Sequence, residues 1–229
     1  MKHDWILDVL TDLRSFAKDN DLLTLADQLD QFPALKDSMF RDRADQFKSR
    51  LKWDVDVDEN GFERDEYDDL NPMYVIWEDA LGLHSGSMRL LPTTGPCMAN
   101  DHFSDLMHGD KFQSPFIWEG TRFCLSRNAT RRTANALMLA AGEVMIGFGI
   151  KHCIGVFDHC MIRIYRMIGA APEILGSSGE GNDFVGIGLW SINQEMFDNV
   201  SKTSGISLAQ SRYWFDSAFG AERRLAQVG

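Results

Sequence analysis

The 229-residue sequence predicts an α/β (α+β) fold: a mixed central sheet flanked by helices, with a helical extension at the N-terminus. Three observations predict it. The early residues carry apolar side chains at helical spacing. Strand-like runs, YVIWEDALGL, GSMRLLP and FIWEGTRFCLSR, then follow one another. After them helical and strand-like patterns alternate, the order that builds a sheet covered by helices.

The elements follow in chain order. Trp5, Ile6, Val9, Leu10, Leu13 and Phe16 share one helical face, and Leu22, Leu25, Ala26 and Leu29 another. Pro33 is expected to close that second helix, because it lacks the N–H that would continue it. A third helix, about 35–50, brings Phe40 and Phe47 to one side and carries Arg41, Arg43 and Arg50. The acidic stretch after it reads as loop, with Asn60-Gly61 as a turn. YVIWEDALGL and GSMRLLP read as neighbouring strands ended by Pro92, and 93–115 as a loop with a short helix. FIWEGTRFCLSR is the next strand. A longer helix, 130–149, sets Ala134, Leu137, Met138, Ala141, Met145 and Phe148 inward. CIGVF is a strand, 158–168 a helix, DFVGIGLW a strand, and a helical segment closes the chain. Residues 1–38 form the extension and 39–229 the main domain, with no internal repeat or low-complexity linker.

Composition is ordinary for a globular protein, 44% hydrophobic and 25% charged. No apolar run reaches the roughly 18 residues of a membrane span. The opening MKHDWILDVL has an early Asp and makes a poor secretory signal. Cys97, Cys124, Cys153 and Cys160 form no C-x-x-C pair and read as reduced thiols, which makes the cytoplasm the expected location. A net charge of −11 argues against a nucleic-acid partner. The charge is uneven. Residues 54–69 hold nine acids and one base. Residues 120–170 hold seven bases, among them Arg127, Arg131, Arg132 and Lys151, against Glu143 and Asp158. That half of an acidic chain suits an anionic partner, although solvated helix-face charge would read the same way.

Several familiar sites fail on inspection. Asp54-x-Asp56-x-Asp58 opens like a calcium loop, but Glu59 stands where Gly is needed and Asp65 where Glu is needed. His152, Cys153, His159 and Cys160 come as adjacent pairs, which point to opposite faces of a strand, so no zinc site is expected. Gly147-x-Gly149 lacks the strand and third Gly of a nucleotide fingerprint, and there is no G-x-S-x-G elbow. No metal is expected anywhere.

WEGTRF poses the sharper question. A strand bound for the interior carries Glu119 and Arg122, three apart. Strict alternation puts them on opposite faces, so a bulge near Gly120, or the long reach of Arg122, is needed to bring them together. Other chemistry-bearing residues precede them: Arg43, Phe47 and Trp53, then Asp65 and Asp68 in ERDEYDD, Arg89 in SMRLLP and Phe103 in NDHFSDL. Singly, each has a structural explanation, as core aromatic, solvated acid or ion pair.

As a set, in this order and spacing, they resemble the autoinducer-synthase family, the N-acyl-homoserine-lactone synthases of bacterial quorum sensing. The matching pattern is Arg43, Phe47, Trp53, the pair Asp65 and Asp68, Arg89 in GSMRLLPT, Phe103, and Glu119 with Arg122 in E-x-x-R-F. It covers about residues 40–205, and the first 38 residues exceed it.

The resemblance implies a fold like the N-acetyltransferases, with two central strands splayed around a thioester cleft. It implies that S-adenosylmethionine is a consumed substrate and that no cofactor is needed. Its amine attacks the thioester of an acyl carrier protein or of acyl-coenzyme A; its carboxylate then displaces methylthioadenosine to close the lactone. Phe47, Trp53 and Phe103 would offer aromatic faces to the sulfonium. Asp65 and Asp68 would pair with Arg43, Arg89 or Arg122 and shape the donor pocket. Glu119 would be the base, held by Arg122. Arg127, Arg131, Arg132 and Lys151 would dock an acidic carrier. Met138, Met145 and Phe148 are expected at the acyl pocket. Phe157, where many 3-oxo members have a Thr, is expected to narrow it. Two alternatives stand beside this reading: an acetyl-coenzyme A N-acyltransferase of the same fold, for which SRNATRR would be a poor pyrophosphate loop, and a non-catalytic binding protein.

Overall fold

The computed structural model describes residues 23–220, with side chains from residue 33 onward. The helix expected over residues 5–16 lies outside the described residues. The described part falls into two compact units, the smaller made of 23–63 and 78–84, the larger of 64–77 and 85–220.

The smaller unit is built on α1, Leu23–Arg43, which continues as a π-helical stretch, Ala44–Arg50. Pro33 lies inside α1, so it does not close a helix, and the expected second and third helices are one. A proline in a helix interior costs about 3 kcal/mol. Burial of Met39, Phe40 and Phe47 beyond it outweighs that, each such side chain contributing roughly 1.5–3 kcal/mol. The acidic loop doubles back through a bridge between Val57 and Glu63. The Asp58 carboxylate accepts from Asn60 N–H at 2.8 Å and Phe62 N–H at 3.0 Å, making the turn that Asn60-Gly61 signals.

The larger unit carries most of a six-stranded sheet in the order β1-β2-β3-β4-β6-β5. Its strands are β1 Met73–Glu78, β2 His84–Pro92, β3 Ile117–Leu125, β4 His152–Asp158, β5 Glu173–Ser178 and β6 Val185–Ser191. β3 and β4 run parallel, while β2–β3, β4–β6 and β5–β6 are antiparallel, so the sheet is mixed as expected. β5 was not expected. EILGSS has only two large apolar residues and lies half-exposed at the sheet edge with a register shift, so it shows no alternation.

The helices are α2 Met98–His102, α3 Arg131–Gly147, α4 His159–Ile168, α5 Gln194–Ser204 and α6 Leu208–Phe219. The last two replace the single closing segment of the sequence reading. Asp158 caps α4 by accepting from Met161 N–H at 3.1 Å, and Gly169 ends it in the left-handed conformation, φ 87°. The long helices α3 to α6 share their cores with one face of the sheet, where Phe157 and Trp190 meet Ala134, Leu139 and Phe197. On the other face Ile154 and Ile187 pack with Ala99 of α2 and Leu106. β4 therefore alternates cleanly: Cys153 and Phe157 to the long helices, Ile154 and Val156 away from them. Among the described residues no helix is long and apolar enough to cross a membrane.

Candidate active site

The strand β3 answers the question posed by WEGTRF. Arg89 lies opposite Thr121 and Ser87 opposite Cys124, so β3 spends one more residue than β2 across this span. The extra residue is Arg122, whose φ of 53° is left-handed. That is a β-bulge, two residues further along than Gly120, where the sequence placed it. Glu119 and Thr121 share one face by alternation, and Phe123 and Leu125 return to the apolar core beyond the bulge. Arg122 joins the polar face because the bulge inserts it there. A non-glycine residue in this conformation costs on the order of 1 kcal/mol, which the surroundings must offset.

They do so through carboxylates. Asp65 caps a short 3-10 turn, Glu66–Leu70, and Asp68 reciprocates by accepting from Asp65 N–H at 2.9 Å. That box aims both carboxylates at β2 and β3. Arg89, with no exposed side chain, donates from Nη1 to Asp68 at 2.9 Å and also to Asp65 Oδ1, and from Nη2 to Asp65 Oδ2 at 2.9 Å. Its Nε donates to Thr121 Oγ1 at 3.0 Å, and its guanidinium lies 5.4 Å from the centre of the Tyr67 ring. Arg122 donates from Nη2 to Asp65 Oδ2 at 2.8 Å. Tyr74 adds a hydroxyl to Asp68 at 2.5 Å. Two acids and two bases thus balance inside the protein, each with several hydrogen bonds, which is the condition for burying them. Of the three arginines expected as partners, Arg89 meets both carboxylates and Arg122 meets Asp65.

Arg43 is fully buried in the smaller unit, donates to Glu63 at 2.6 Å and lies over Phe40. Phe47 is buried and stacks on Trp53 with centroids 5.0 Å apart and planes 8° apart. Trp53 remains 40% exposed and offers an indole face. Phe103 follows α2 and is half-buried.

Glu119 is wholly buried. It is not held by Arg122. Its two oxygens accept from backbone N–H groups of α2, Oε1 from Ala99 at 2.5 Å and Oε2 from Met98 at 3.0 Å. The physical reason is the network above: Asp65 captures Arg122, and the amides at the start of α2 are left to meet the carboxylate. Burial pushes the Glu119 carboxyl up from its ordinary range, more strongly than these two hydrogen bonds and the nearby Arg89 charge pull it down. Asp101 adds to the upward push. The charge also raises its neighbours: burial first, then Glu119, lifts the Cys97 thiol to about 11 and the Cys153 thiol to about 12.

Beside Glu119 the sheet opens. β3 and β4 pair only from Ile117–His152 to Glu119–Ile154, then diverge while β4 continues alongside β6. Gly155 sits at the fork, where a side chain would come within 3.0 Å of the Gly120 carbonyl. On the long-helix side of the fork lies a narrow cavity of about 50 Å³, reached by Thr121, Cys153, Met138, Met145, Tyr165 and Trp190. Met138 and Met145 line this cavity. Phe148 does not line it; that ring packs among Trp118, Phe215 and Phe219. Phe157 lies behind the wall, edge-on to Tyr165 at 5.6 Å and to Trp190 at 6.0 Å, on the same face of β4 as Cys153 but further along the strand.

Arg127, Arg131, Arg132 and Lys151 are exposed. Arg131 and Arg132 occupy the first turn of α3, which holds no acid. Among the described residues, no three His, Cys, Asp or Glu side chains group as a metal site. Sequence reasoning missed Thr121, although its place two after Glu119 on a strand marks it for the same face. It also missed Tyr67 and Tyr74, whose hydroxyls meet Asp101 at 3.0 Å and Asp68. The Met98 and Ala99 amides carry no side-chain signal at all.

Known proteins are similar to this chain. Residues 28–207 match the family model described as autoinducer synthase. An acyl-homoserine-lactone synthase of Rhizobium etli is 37% identical over 166 residues, covering 69% of this chain and 78% of the relative. One from Agrobacterium fabrum is 36% identical over 190 residues, covering 78% of this chain and 90% of the relative. Among solved structures, TofI in a ternary complex with an inhibitor and MTA superposes with a TM-score of 0.63 at 27% identity, over 76% of this chain and 91% of TofI.

Proposed function

We infer the activity from one premise: the chain belongs to the autoinducer synthase family. It is an acyl-transferring enzyme that makes an acyl-homoserine lactone. We propose that it uses S-adenosylmethionine and an acyl thioester, and that Glu119 is the base. The observation that carries this is the placement of one buried carboxylate, with its pKa raised by burial, beside the fork between β3 and β4.

The first step needs a free amine. The ammonium of the donor gives its proton to Glu119, directly or through a water. A carboxyl raised above its ordinary range is a better acceptor than an ordinary one. The amine then attacks the thioester carbonyl, and the carrier thiol leaves. Past Glu119 and Ile154, β3 and β4 no longer pair with each other, so edge amides there are available to the tetrahedral oxyanion. The fork supports this assignment, because the acyl chain enters the cavity on one face of the sheet while the amine comes from the other.

The second step joins the carboxylate oxygen to the carbon next to sulfur and expels methylthioadenosine. A sulfonium is already a good leaving group, so orientation carries this step. Asp65 and Asp68 have their oxygens committed to Arg89, Arg122 and Tyr74, so they shape the donor pocket by holding β2, β3 and the 3-10 turn together. Arg127, Arg131, Arg132 and Lys151 suit an acidic carrier protein.

The test is mass spectrometry of the purified protein with S-adenosylmethionine and straight, branched and aryl thioesters on carrier protein and on coenzyme A. Methylthioadenosine appearing together with one acyl-homoserine lactone supports the reading and selects the carrier. A folded protein that yields neither product from any donor overturns it.

A further inference from the structure

The cavity beyond the fork is lined mostly by apolar side chains, yet a phenol stands in its wall. Tyr165 comes from α4, is only 8% exposed, and reaches the cavity beside Trp190 and Cys153. Its ring is fixed by two edge-on contacts, to Trp190 at 5.0 Å and to Phe157 at 5.6 Å. Two such contacts pack the ring against its neighbours. Buried tyrosine hydroxyls ordinarily find a partner. Trp190, the neighbour, has one: its indole N–H donates to the Ala170 carbonyl at 2.7 Å. Among the described residues the Tyr165 hydroxyl makes no hydrogen bond, and it is not among the side-chain atoms sealed from solvent. It therefore opens into the cavity.

We propose that Tyr165 is a specificity-determining residue whose hydroxyl hydrogen-bonds an oxygen substituent, hydroxyl or carbonyl, on the acyl chain of the substrate. This rests on the synthase reading above and deepens it by naming the substrate class. A fully apolar chain leaves the hydroxyl unpaired among Met138, Met145 and Trp190. A chain bearing an oxygen at the right carbon gives it a partner. Sites with a committed polar group reject ligands that leave it unpaired more strongly than apolar pockets reject a missing methylene. Phenolate chemistry has no part here, since burial holds the Tyr165 proton on.

The experiment compares wild type with Tyr165→Phe on matched acyl thioesters, one set unsubstituted and one carrying an oxo or hydroxy group, read by methylthioadenosine release. Wild type should favour the best oxygenated chain by about tenfold in kcat/KM, the worth of one buried hydrogen bond. Tyr165→Phe should lose that preference, the ratio of oxygenated to unsubstituted kcat/KM falling to about one. A merely structural role would lower both sets together and leave the ratio unchanged, which overturns the proposal, as does a wild type indifferent to the oxygen. Binding of the same chains as unreactive pantetheine thioethers, measured by calorimetry, gives the ratio without turnover. If it shows the preference while no thioester releases methylthioadenosine, the activity reading fails and the role of Tyr165 stands.

Discussion

Arg122 takes a left-handed backbone on β3, and its guanidinium meets Asp65 Oδ2 at 2.8 Å. The strained residue and the capping carboxylate depend on each other. The bulge exists because Arg122 has a partner, and Asp65 can serve both Arg89 and Arg122 because the bulge delivers the second to the same face.

This relationship separates strain from charge. Arg122→Gly removes the ion pair but suits the left-handed backbone, whereas Arg122→Ala removes the pair and keeps the strain. Arg122→Ala should be less stable than Arg122→Gly by about 1 kcal/mol in denaturant unfolding, reversing the order glycine and alanine show in ordinary strands.

Arg89 is the centre of the network. Arg89→Ala leaves two carboxylates without their main cation, and the cost of breaking a buried pair is about 3–5 kcal/mol. Thermal unfolding should show a large fall in Tm. Asp68→Asn, which keeps shape and removes one charge, should fold and show weaker S-adenosylmethionine binding by calorimetry. Unchanged donor affinity in that variant would take Asp68 out of the pocket.

Glu119 makes a pH-dependent contribution whose sign follows from its raised pKa. A carboxyl that binds its proton more tightly when folded contributes stability below the unfolded value, near 4.5, and loses it as pH rises through the higher folded value. Glu119→Gln has no such loss. The Tm difference, variant minus wild type, should therefore grow more positive from about pH 4 to pH 8, whatever constant offset the lost acceptor adds. A flat difference would mean that burial does not penalise this carboxylate.

Charge on α3 gives a prediction with a built-in control. Arg131→Glu with Arg132→Glu replaces two cations in a first turn by two anions, which the helix dipole favours by a few tenths of a kcal/mol or more each. The double variant should thus keep or gain stability. It should nevertheless raise KM several-fold for thioesters on an acidic carrier protein, most at low salt, and leave KM for acyl-pantetheine unchanged.

The fold was legible wherever burial imposed a period. β4 alternates because both its faces are covered, and α3 shows its inward stripe for the same reason. β5 was hidden because an exposed edge strand needs no pattern, and Pro33 misled because tertiary burial beyond it outweighs a lost helical bond. The site divided in the same way. Arg89, Glu119 and Arg122 announced themselves as charges in apolar surroundings, whereas Asp65 and Asp68, inside an acidic stretch, were marked only by their spacing. The sequence could not say which charge meets which, because partners lie 21 and 24 residues apart and a one-residue bulge decides the geometry. Backbone amides at Met98 and Ala99, which hold the central carboxylate, are invisible in any list of side chains.

The central claim is that Glu119 takes the proton from the attacking amine. Its most direct test is the pH–rate profile of Glu119→Gln against wild type, following carrier thiol and methylthioadenosine in the same reaction. The account predicts that wild type releases the two together, with a rate that rises through a pKa above the ordinary carboxylate range. It predicts that the variant, folded at every pH used, loses that inflection and is slower at neutral pH by about 10²-fold or more, recovering only where the amine deprotonates in solution. A variant that keeps the wild-type rate and inflection would contradict it.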